Sequence, residues 1–275
     1  MYTRASATDR IVDPERRGDV KEAIDMRLEG KVAVVTGGAA GIGEAYSIGM
    51  AREGAKVVIA DIDEKAGAQL AERINAEGAT ALFVPTDVSS KADAETMAQR
   101  TVDQFGRLDV LVNNASILDA QPVEEITEEM WDRQMAVNAK GTIFCSQAAI
   151  PIMKQNKRGK IVNISSIGAL AAQPGLCAYH STKAAIFTIT RSFAAELIDW
   201  NIQVNAVVPG TTSTGMAERA MRDPAFKKRV VDTIPMGRLG NPQELLGAVL
   251  YFSTDDSNYC TGQTLIVDGG VLAIM

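Results

Sequence analysis

The sequence predicts one α/β domain built on a parallel sheet of about seven strands, with helices on both faces. Short apolar runs rich in Val and Ile recur along the chain, and a longer helical pattern follows each of them. These runs are nearly continuous in apolar character, which is typical of strands buried on both faces. Strand–helix–strand repetition with right-handed crossovers gives a doubly wound sheet. The predicted strands are 31–37, 56–61, 81–88, 108–114, 159–166, 202–210 and 264–270.

Helices are predicted between these strands. The helical patterns cover 63–77, 90–105, 127–156, 178–199 and 241–254. The stretch NPQE marks one helix start, with Asn241 as N-cap, Pro242 in the first turn and Glu244 at the third position. Because doubly wound sheets bind ligands beyond the carboxyl ends of their strands, we expect the functional residues at those ends.

Charge and hydropathy exclude some function classes. The formal net charge of -6 argues against a nucleic-acid binder, which usually carries a basic face. No apolar run approaches the roughly 20 residues that a membrane span needs. The N-terminal stretch has no apolar signal-peptide core. We therefore expect a protein that is neither membrane-bound nor exported.

The number and spacing of the cysteines and histidine predict a reducing compartment and no metal site. The 3 cysteines are far apart and the chain has 1 histidine. An odd cysteine count without CxxC spacing indicates reduced thiols in a reducing, cytoplasmic compartment. The same scarcity of ligands predicts no metal site.

The chain divides into an arm and a domain. Residues 1–27 are polar with interleaved charges, so we expect a flexible N-terminal arm, and the domain covers 28–275. Met26 directly precedes the first strand signal, so it is an alternative start of the protein. The sequence leaves that choice open, along with the possibility that the arm packs on a partner subunit.

The turn after the first strand carries the clearest binding motif. It reads TGGAAGIG, with Gly37, Gly41 and Gly43 at the positions that permit a tight turn, close approach to a phosphate and close helix packing. Ile42 lies within it. The second strand ends in Asp61, followed by Ile62. An acidic residue there binds the ribose hydroxyls of NAD and repels the 2′-phosphate of NADP, so a Rossmann-like fold with NAD as cofactor is predicted.

Two more strand ends fit the same cofactor. Asp87 and Val88 close the third strand, where Asp87 is expected to hydrogen-bond the adenine edge. Asn114 and Ala115 close the fourth strand, under the adenosine ribose. Taken singly, each pair can also be an ordinary strand cap, because Asn and Asp often end strands.

At this point the ordered motifs resemble the short-chain dehydrogenases/reductases, over about residues 28–275. One departure is Ser116, where that family usually has glycine after NNA; we expect a mild change. The matching pieces are TGGAAGIG, Asp61, DV at 87–88, NNAS at 113–116, Asn138 in VNAKG, Ser166 in NISSIG, YHSTK at 179–183, PGTTST at 209–214 and the TGQTLIVDGG tail.

The stretch YHSTK places a tyrosine and a lysine one helical turn apart. Oxidation of an alcohol removes a hydride and a proton, and Tyr179 is a poor base at its ordinary pKa of about 10. Lys183 lies on the same helix face as Tyr179. Its positive charge, together with that of the nicotinamide cation, favours the phenolate form of Tyr179. The resemblance assigns the same roles: Tyr179 as general acid/base and Lys183 holding the ribose.

The resemblance adds two more catalytic residues. Ser166 is expected to hydrogen-bond the substrate oxygen and Asn138 to anchor a water that connects Lys183 with solvent. The alternative for each is structural, as a strand cap or as a solvent-facing helix residue. His180 lies about 100° around the helix from Tyr179, so we expect it to pack rather than to catalyse.

The segment after the sixth strand is expected to surround the nicotinamide and the substrate. Pro209 and Gly210 begin a loop in which the backbone of Thr212 and the hydroxyl of Thr214 hold the carboxamide. The alternative is an ordinary Pro-Gly loop. Residues at about 211–238 are expected to form a lid over the substrate. We interpret the KKR stretch at 227–229 as a solvated helix face rather than a substrate contact.

The predicted activity is hydride transfer between NAD and a secondary alcohol or ketone, such as a small alcohol, polyol, sugar or hydroxy acid. A 3-oxoacyl reductase of fatty-acid type is the main alternative, and Asp61 argues against it because many of those prefer NADP. A catalytically idle NAD-binding regulator is a second alternative. The resemblance further implies a homotetramer that pairs the long helices 127–156 and 178–199.

Overall fold

The seven predicted strands form one parallel sheet. A computed structural model describes residues 26–274, so the predicted arm 1–27 lies outside that range except for its last two residues. The strand order is β3-β2-β1-β4-β5-β6-β7, and every pairing is parallel. The strands are β1 Val32–Thr36, β2 Lys56–Asp61, β3 Thr80–Pro85, β4 Val110–Asn113, β5 Gly159–Ile164, β6 Ile202–Pro209 and β7 Thr264–Val267.

The order of strands locates the binding crevice. The chain runs outward from β1 through β2 to β3, then returns to β4 on the other side of β1. The direction of winding therefore reverses between β1 and β4. Loops leaving the two strands there diverge to opposite faces and leave a crevice between them.

Helices lie on both faces, as predicted. The predicted helix 127–156 is interrupted: α4 and α5 are joined through a π-helical turn at Met135–Lys140. The capping box predicted at Asn241 and Glu244 is present at the start of α9. The helices are α1 Gly41–Arg52, α2 Glu64–Ala76, α3 Lys91–Phe105, α4 Glu128–Gln134, α5 Gly141–Gln155, α6 Cys177–Leu197, α7 Gly215–Ala220, α8 Pro224–Asp232 and α9 Pro242–Ser253.

The sheet is buried on both faces, which explains the continuous apolar runs. On one face Tyr46 and Met50 of α1 pack with α9 against the strands. On the other face Met97, Cys145 and Met153 join α3 and α5 to the same sheet. Each fully buried side chain of this size contributes about 1.5–3 kcal/mol. The sheet therefore forms a stiff floor for the loops at its carboxyl edge.

Three features bear on the expectations about membrane, metal and thiols. Across residues 26–274, none of the helices combines the length and the apolar character that crossing a bilayer requires. Within the same range, no group of three or more His, Cys, Asp or Glu side chains is placed to hold a metal ion. The thiols are free: Cys145 is buried, Cys177 is exposed and Cys260 is half-buried.

Candidate active site

The glycine turn between β1 and α1 has the close packing that the motif predicts. Gly37 and Gly41 both have positive φ, at 60° and 59°, a region that side chains disfavour. A Cβ on Gly43 would lie 1.9 Å from the carbonyl oxygen of Gly37. The turn therefore requires glycine at these positions, and it brings the N-terminus of α1 to the carboxyl edge of the sheet. Free N–H groups at that helix end suit a phosphate.

Asp61 faces this turn from the end of β2. One carboxylate oxygen accepts a hydrogen bond from the backbone N–H of Ala39 at 3.0 Å, and the other accepts one from Asp63 at 3.0 Å. These bonds fix the carboxylate beside the turn with lone pairs still available, since each oxygen can accept twice. Ile62 is 72% exposed and lies at the rim.

Asn114 ties the end of β4 to the glycine turn. Its side-chain amide donates to the carbonyl oxygens of Thr36 and Gly37, both at 3.0 Å. The backbone N–H groups of Asn114 and Ala115 donate to the Thr36 hydroxyl. Both amide protons of Asn114 are therefore used inside the protein, where they hold the end of β4 against the glycine turn.

The end of β3 is arranged by Asp87 and Val88. One Asp87 oxygen accepts hydrogen bonds from the backbone and hydroxyl of Ser89, at 2.9 and 2.7 Å. Val88 is buried, and a Cβ on Gly141 would come within 2.8 Å of it. Asp87 thus shapes its own turn, and its other oxygen remains at the exposed edge of the crevice.

Lys183 and Tyr179 lie on one face of α6, as predicted. The Lys183 ammonium is 5.8 Å from the centre of the Tyr179 ring and donates to the carbonyl oxygen of Ile164 at 3.0 Å. Burial lowers the pKa of Lys183 to about 8. The amine is therefore mostly protonated at neutral pH, with its charge held in a dry pocket.

The surroundings of Tyr179 shift its pKa in opposite directions. Burial raises the pKa of Tyr179, while the hydroxyls of Ser166 and Ser116 lower it. In the protein alone, burial outweighs the hydroxyls, so the pKa stays above its ordinary value. The lowering toward 7 expected from the sequence thus requires the positive charge of a bound nicotinamide in addition to Lys183.

Ser166 is held so that its hydroxyl proton is free to point into the crevice. Its oxygen accepts a hydrogen bond from the backbone N–H of Gly168 at 3.1 Å, as the cap of a short 3-10 turn at Ile167–Ala169. Ser166 therefore does act as a cap, which was the structural alternative. This does not exclude a catalytic role, because a hydroxyl oxygen that accepts from the backbone can still donate its own proton.

Asn138 lies in the π-helical turn and is buried. Its oxygen accepts from the N–H of Ile117 at 2.8 Å, and its amide donates to the carbonyl of Ile117 at 2.9 Å and to the Thr182 hydroxyl at 3.0 Å. The solvent-facing alternative does not hold, since the side chain connects the loop after β4 with α6. Thr182 was not singled out from the sequence, although it lies inside YHSTK.

His180 packs, as expected. A Cβ on Gly168 would come within 2.3 Å of its ring, so the ring lies directly against the loop that follows Ser166. Its ring centre is 6.0 Å from that of Tyr179, and burial lowers its pKa. His180 therefore supports the loop that carries Ser166.

The loop after β6 forms a further wall of the crevice. The Thr212 hydroxyl donates to Gly210 at 3.0 Å, and Thr214 caps α7 by accepting from Ala217 at 3.2 Å. The Thr214 side chain is 3.7 Å from where a Gly41 Cβ would be. The loop thus meets the glycine turn directly. Pro209 and Gly210 place it there, paired with the end of β7.

The segment expected to cover the substrate contains α7 and α8. Met221 and Ile234 are buried, and Ile234 packs with Ile167 and Val208 near the Ser166 loop. The KKR stretch at 227–229 lies on the exposed helix α8 and matches its interpretation as a solvated face. On the opposite rim, Asp119 forms an ion pair with Arg133, which the sequence analysis did not foresee.

The crevice therefore brings together the glycine turn, an acid at the end of the second strand and a Tyr–Lys–Ser group. A family model described as "Enoyl-(Acyl carrier protein) reductase" matches residues 37–272. The chain belongs to the short-chain dehydrogenase/reductase family.

Three similar proteins illustrate the family around this chain. A 3-oxoacyl-[acyl-carrier-protein] reductase of Thermotoga maritima is 37% identical, over 90% of this chain and 100% of its own. An L-rhamnose-1-dehydrogenase of Scheffersomyces stipitis is 38% identical, over 89% and 96%. The crystal structure of a gluconate 5-dehydrogenase from Burkholderia cenocepacia, in complex with NADP and tartrate, has a TM-score of 0.87 at 34% identity, over 90% and 98%.

Family membership confirms the predicted fold, a single Rossmann-like doubly wound domain. This short-chain dehydrogenase/reductase is an oxidoreductase that acts on CH–OH groups. It transfers hydride between a nicotinamide cofactor and a secondary alcohol or ketone.

Proposed function

We propose that this enzyme oxidises a secondary alcohol of the small-alcohol, polyol, sugar or hydroxy-acid type with NAD, using Tyr179 as general base. The observation that carries the proposal is the group at the carboxyl edge: Tyr179, the buried Lys183 ammonium and the Ser166 hydroxyl, next to the glycine turn. In the reverse direction the same group reduces the ketone.

The residues at the crevice fit a dinucleotide. The turn can pack this closely against the ends of β1 and β4 because Gly43 and Gly37 carry no Cβ, and it leaves the N-terminus of α1 to face a phosphate. The residues proposed to hold the cofactor are Gly37, Gly41, Ile42, Gly43, Asp61, Ile62, Asp87, Val88, Asn114, Ala115, Tyr179, Lys183, Pro209, Gly210, Thr212 and Thr214. When bound, the nicotinamide supplies or accepts the hydride.

The proton is handled by the chain's own residues. Tyr179 takes the proton from the substrate hydroxyl as the carbon loses its hydride, and Ser166 donates a hydrogen bond to the same oxygen. Lys183, charged at neutral pH, stabilises the phenolate. Asn138 binds the backbone N–H of Ile117 and the side-chain hydroxyl of Thr182, and we propose that this turn positions a water that relays the proton to solvent.

The preference for NAD rests on Asp61. Its carboxylate is fixed by Ala39 and Asp63 beside the turn, where it can accept from both ribose hydroxyls and repels a 2′-phosphate. The turn itself carries Ala39 and Ala40, with no cation to offset that repulsion. The Burkholderia gluconate 5-dehydrogenase was crystallised with NADP, so the proposal of NAD rests on Asp61 and not on that relative.

Cofactor assays test this proposal. Reduction of NAD and NADP is followed in parallel across a panel of secondary alcohols, polyols, sugars and hydroxy acids. We expect activity with NAD, and a fall of about tenfold or more in the NAD over NADP preference in Asp61→Ala, since an adverse charge contact costs about 1.4 kcal/mol or more. Asp63→Ala, two residues on, is the matched control. A preference for NADP in the natural chain would overturn the proposal, as would an unchanged preference in Asp61→Ala.

The 3-oxoacyl reductase function remains the second candidate because a 37% identical relative carries that name. It predicts rapid oxidation of NADPH with a 3-oxoacyl thioester and slow turnover of free alcohols. Testing a 3-oxoacyl thioester with NADH and NADPH beside the panel separates the two candidates.

We further propose a homotetramer that works in the cytoplasm, with a flexible arm at 1–27 and a lid at about 211–238 on the domain 28–275. Leu265 and Ile266 of the edge strand β7 are 39% and 42% exposed, and Tyr251 of α9 is 41% exposed nearby. Such an apolar edge is typical of a subunit interface. Light scattering that gives a monomer at micromolar concentration would contradict the assembly.

A further inference from the structure

Thr182 is a threonine of α6 to which no role has been given. It lies between Tyr179 and Lys183 in the chain and is fully buried. Its hydroxyl donates to the backbone carbonyl of Tyr179 at 2.7 Å and accepts from the side-chain amide of Asn138 at 3.0 Å. Thr182 therefore joins the turn of α6 that carries the proposed base to the π-helical turn that carries Asn138.

The chemistry of the partners fixes the direction of these hydrogen bonds. A carbonyl oxygen can only accept, so the Thr182 proton points to Tyr179 and the Thr182 oxygen is left to accept from Asn138. The NH2 group of Asn138 then faces Thr182, and its oxygen accepts from the N–H of Ile117 at 2.8 Å. The second amide proton is donated to the carbonyl of Ile117 at 2.9 Å. One orientation of the Asn138 amide satisfies all these bonds, and Thr182 is part of what selects it.

Removal of the Thr182 hydroxyl is expected to disturb both of its partners. Asn138 is buried, so the amide proton that loses its acceptor is not compensated by water, and a buried donor without an acceptor is unfavourable. The amide then shifts toward another acceptor and weakens its bonds to Ile117. At the same time the turn at Tyr179 loses its link to the π-helical turn. One hydroxyl thus holds groups that belong to two sides of the crevice.

We propose that Thr182 is a positioning residue for the reaction, which holds Tyr179 and Asn138 in fixed relative positions. This inference rests on the proposed role of Tyr179 as base. Proton transfer requires the base to lie within hydrogen-bond reach of the substrate, so a small displacement of the base slows the reaction. The Thr182 hydroxyl is occupied by its two protein partners. It therefore acts through them and takes no part in the chemical step.

A second buried threonine of α6 shows the same pattern away from the site. Thr190 is buried, and its hydroxyl accepts from the side-chain amide of Asn163, in β5, at 2.9 Å. Roughly two turns of helix, about 12 Å, separate the two threonines. Thr190→Val therefore removes the same kind of buried hydrogen bond and leaves the contacts of Tyr179 in place. It is a matched control that separates positioning from a general loss of stability.

The test compares the steady-state kinetics and urea unfolding of full-length variants. The probe is the panel alcohol, or the 3-oxoacyl thioester, that the natural enzyme turns over fastest. In Thr182→Val we expect kcat to fall about tenfold, the factor that corresponds to one hydrogen bond of typical strength. The KM values of substrate and cofactor should stay within about threefold, because the loss is one of positioning and not of binding. Thr182→Ser keeps the hydroxyl and should recover most of the loss.

The control variant should separate kcat from stability. Thr190→Val is expected to lower the urea midpoint to a similar degree as Thr182→Val, because both remove the acceptor of a buried amide. Its kcat should stay within about twofold of the natural value. A fall in kcat as large as that of Thr182→Val would assign the loss to packing and overturn the proposal.

A double variant shows whether the effect passes through Asn138. Asn138→Ala is expected to lower kcat by itself. Adding Thr182→Val to it should cost less than about twofold more, because members of one hydrogen-bond network are not additive. An undiminished loss in the double variant would overturn the proposal, since Thr182 would then act independently of Asn138.

The remaining outcomes also decide the proposal. An unchanged kcat in Thr182→Val overturns it. If that variant does not fold, Thr182→Ala beside Thr190→Ala gives the same comparison. Failure of the proposed function has a different signature: Tyr179→Phe then retains turnover, however the threonine variants compare.

Discussion

Two buried lysines at opposite ends of the sheet show how position decides what the same chemistry does. Burial lowers the pKa of both Lys183 and Lys160 to about 8. Lys183 lies at the carboxyl edge, beside an ionisable phenol. Lys160 lies at the amino end of β5 and donates to the Ser257 hydroxyl at 3.1 Å and the Asn258 side chain at 2.9 Å. A perturbed pKa alone therefore does not identify a catalytic residue.

The two amines differ in how many of their N–H donors are already used in hydrogen bonds. Lys160 is enclosed by polar groups of the segment after α9, in a cavity of about 210 Å³ that Asp255 and Arg158 also line. Lys183 is buried beside the Tyr179 ring and donates to one backbone carbonyl. The amine at the carboxyl edge has capacity left for a cofactor and a phenolate, whereas the other is committed to joining two loops.

The largest expected effect comes from removing the charge at the carboxyl edge. Lys183→Met should lower kcat/KM by about 100-fold or more, since assistance to a general base contributes about 10²–10⁴-fold. Cofactor affinity should fall as well. Steady-state kinetics and NAD titration measure both quantities. Turnover within tenfold of the natural enzyme would show that Tyr179 does not depend on this amine.

An intermediate effect should appear in the dependence of stability on pH. The pKa of Lys160 is about 8 in the folded protein and 10.5 in its ordinary state. Between these values the unfolded chain holds a proton that the folded chain has released. The contribution of Lys160 to the free energy of unfolding therefore rises with pH, by at most about 1.4 kcal/mol per pH unit. Below about pH 8 this contribution is constant.

Urea unfolding from pH 7 to 9.5 measures this rise. The natural chain is compared with Lys160→Met, because the difference between them removes the opposite contributions of Cys145 and Tyr46, whose pKa values burial raises. Lys65→Met, exposed on α2, is the control. A difference that stays flat or falls across this range would show that Lys160 is not desolvated.

The smallest expected effect is on the catalysis of the same variant. Lys160→Met should keep kcat/KM within about threefold, because its amine hydrogen-bonds Ser257 and Asn258 at the amino end of the sheet and a change this small is about 0.65 kcal/mol. The panel assay at pH 7 checks it beside Lys183→Met. A loss as large as that of Lys183→Met would remove the distinction between the two ends of the sheet.

The contrast between local pattern and long-range packing explains what could be predicted from the sequence. The strands, their parallel doubly wound arrangement and the glycine turn follow from local pattern, and the structure confirms them. Asn138 could not be placed from pattern, because its π-helical turn reads as part of a continuous helix. The path of the loop at 115–117 could not be predicted either. Its backbone is held by hydrogen bonds to Thr36 and Asn138, which are far away in the chain.

The electrostatics were the least predictable part. The sequence predicts that Lys183 and the nicotinamide cation together lower the pKa of Tyr179. In the protein alone, burial raises that pKa and the hydroxyls of Ser166 and Ser116 lower it, which the sequence did not foresee. Burial depends on how α6 packs under the loop after Ser166, where His180 fills the space above Gly168. No single-residue motif carries that information.

The measurement that tests the account most directly is turnover by Tyr179→Phe with the substrate that the panel identifies, alongside its affinity for NAD. The account predicts that NAD binding stays within a few fold, about 1 kcal/mol, while kcat falls by about 1,000-fold or more, since the ring remains and only the proton acceptor is lost. Turnover at a tenth of the natural rate or more, with NAD bound normally, would show that another group takes the proton.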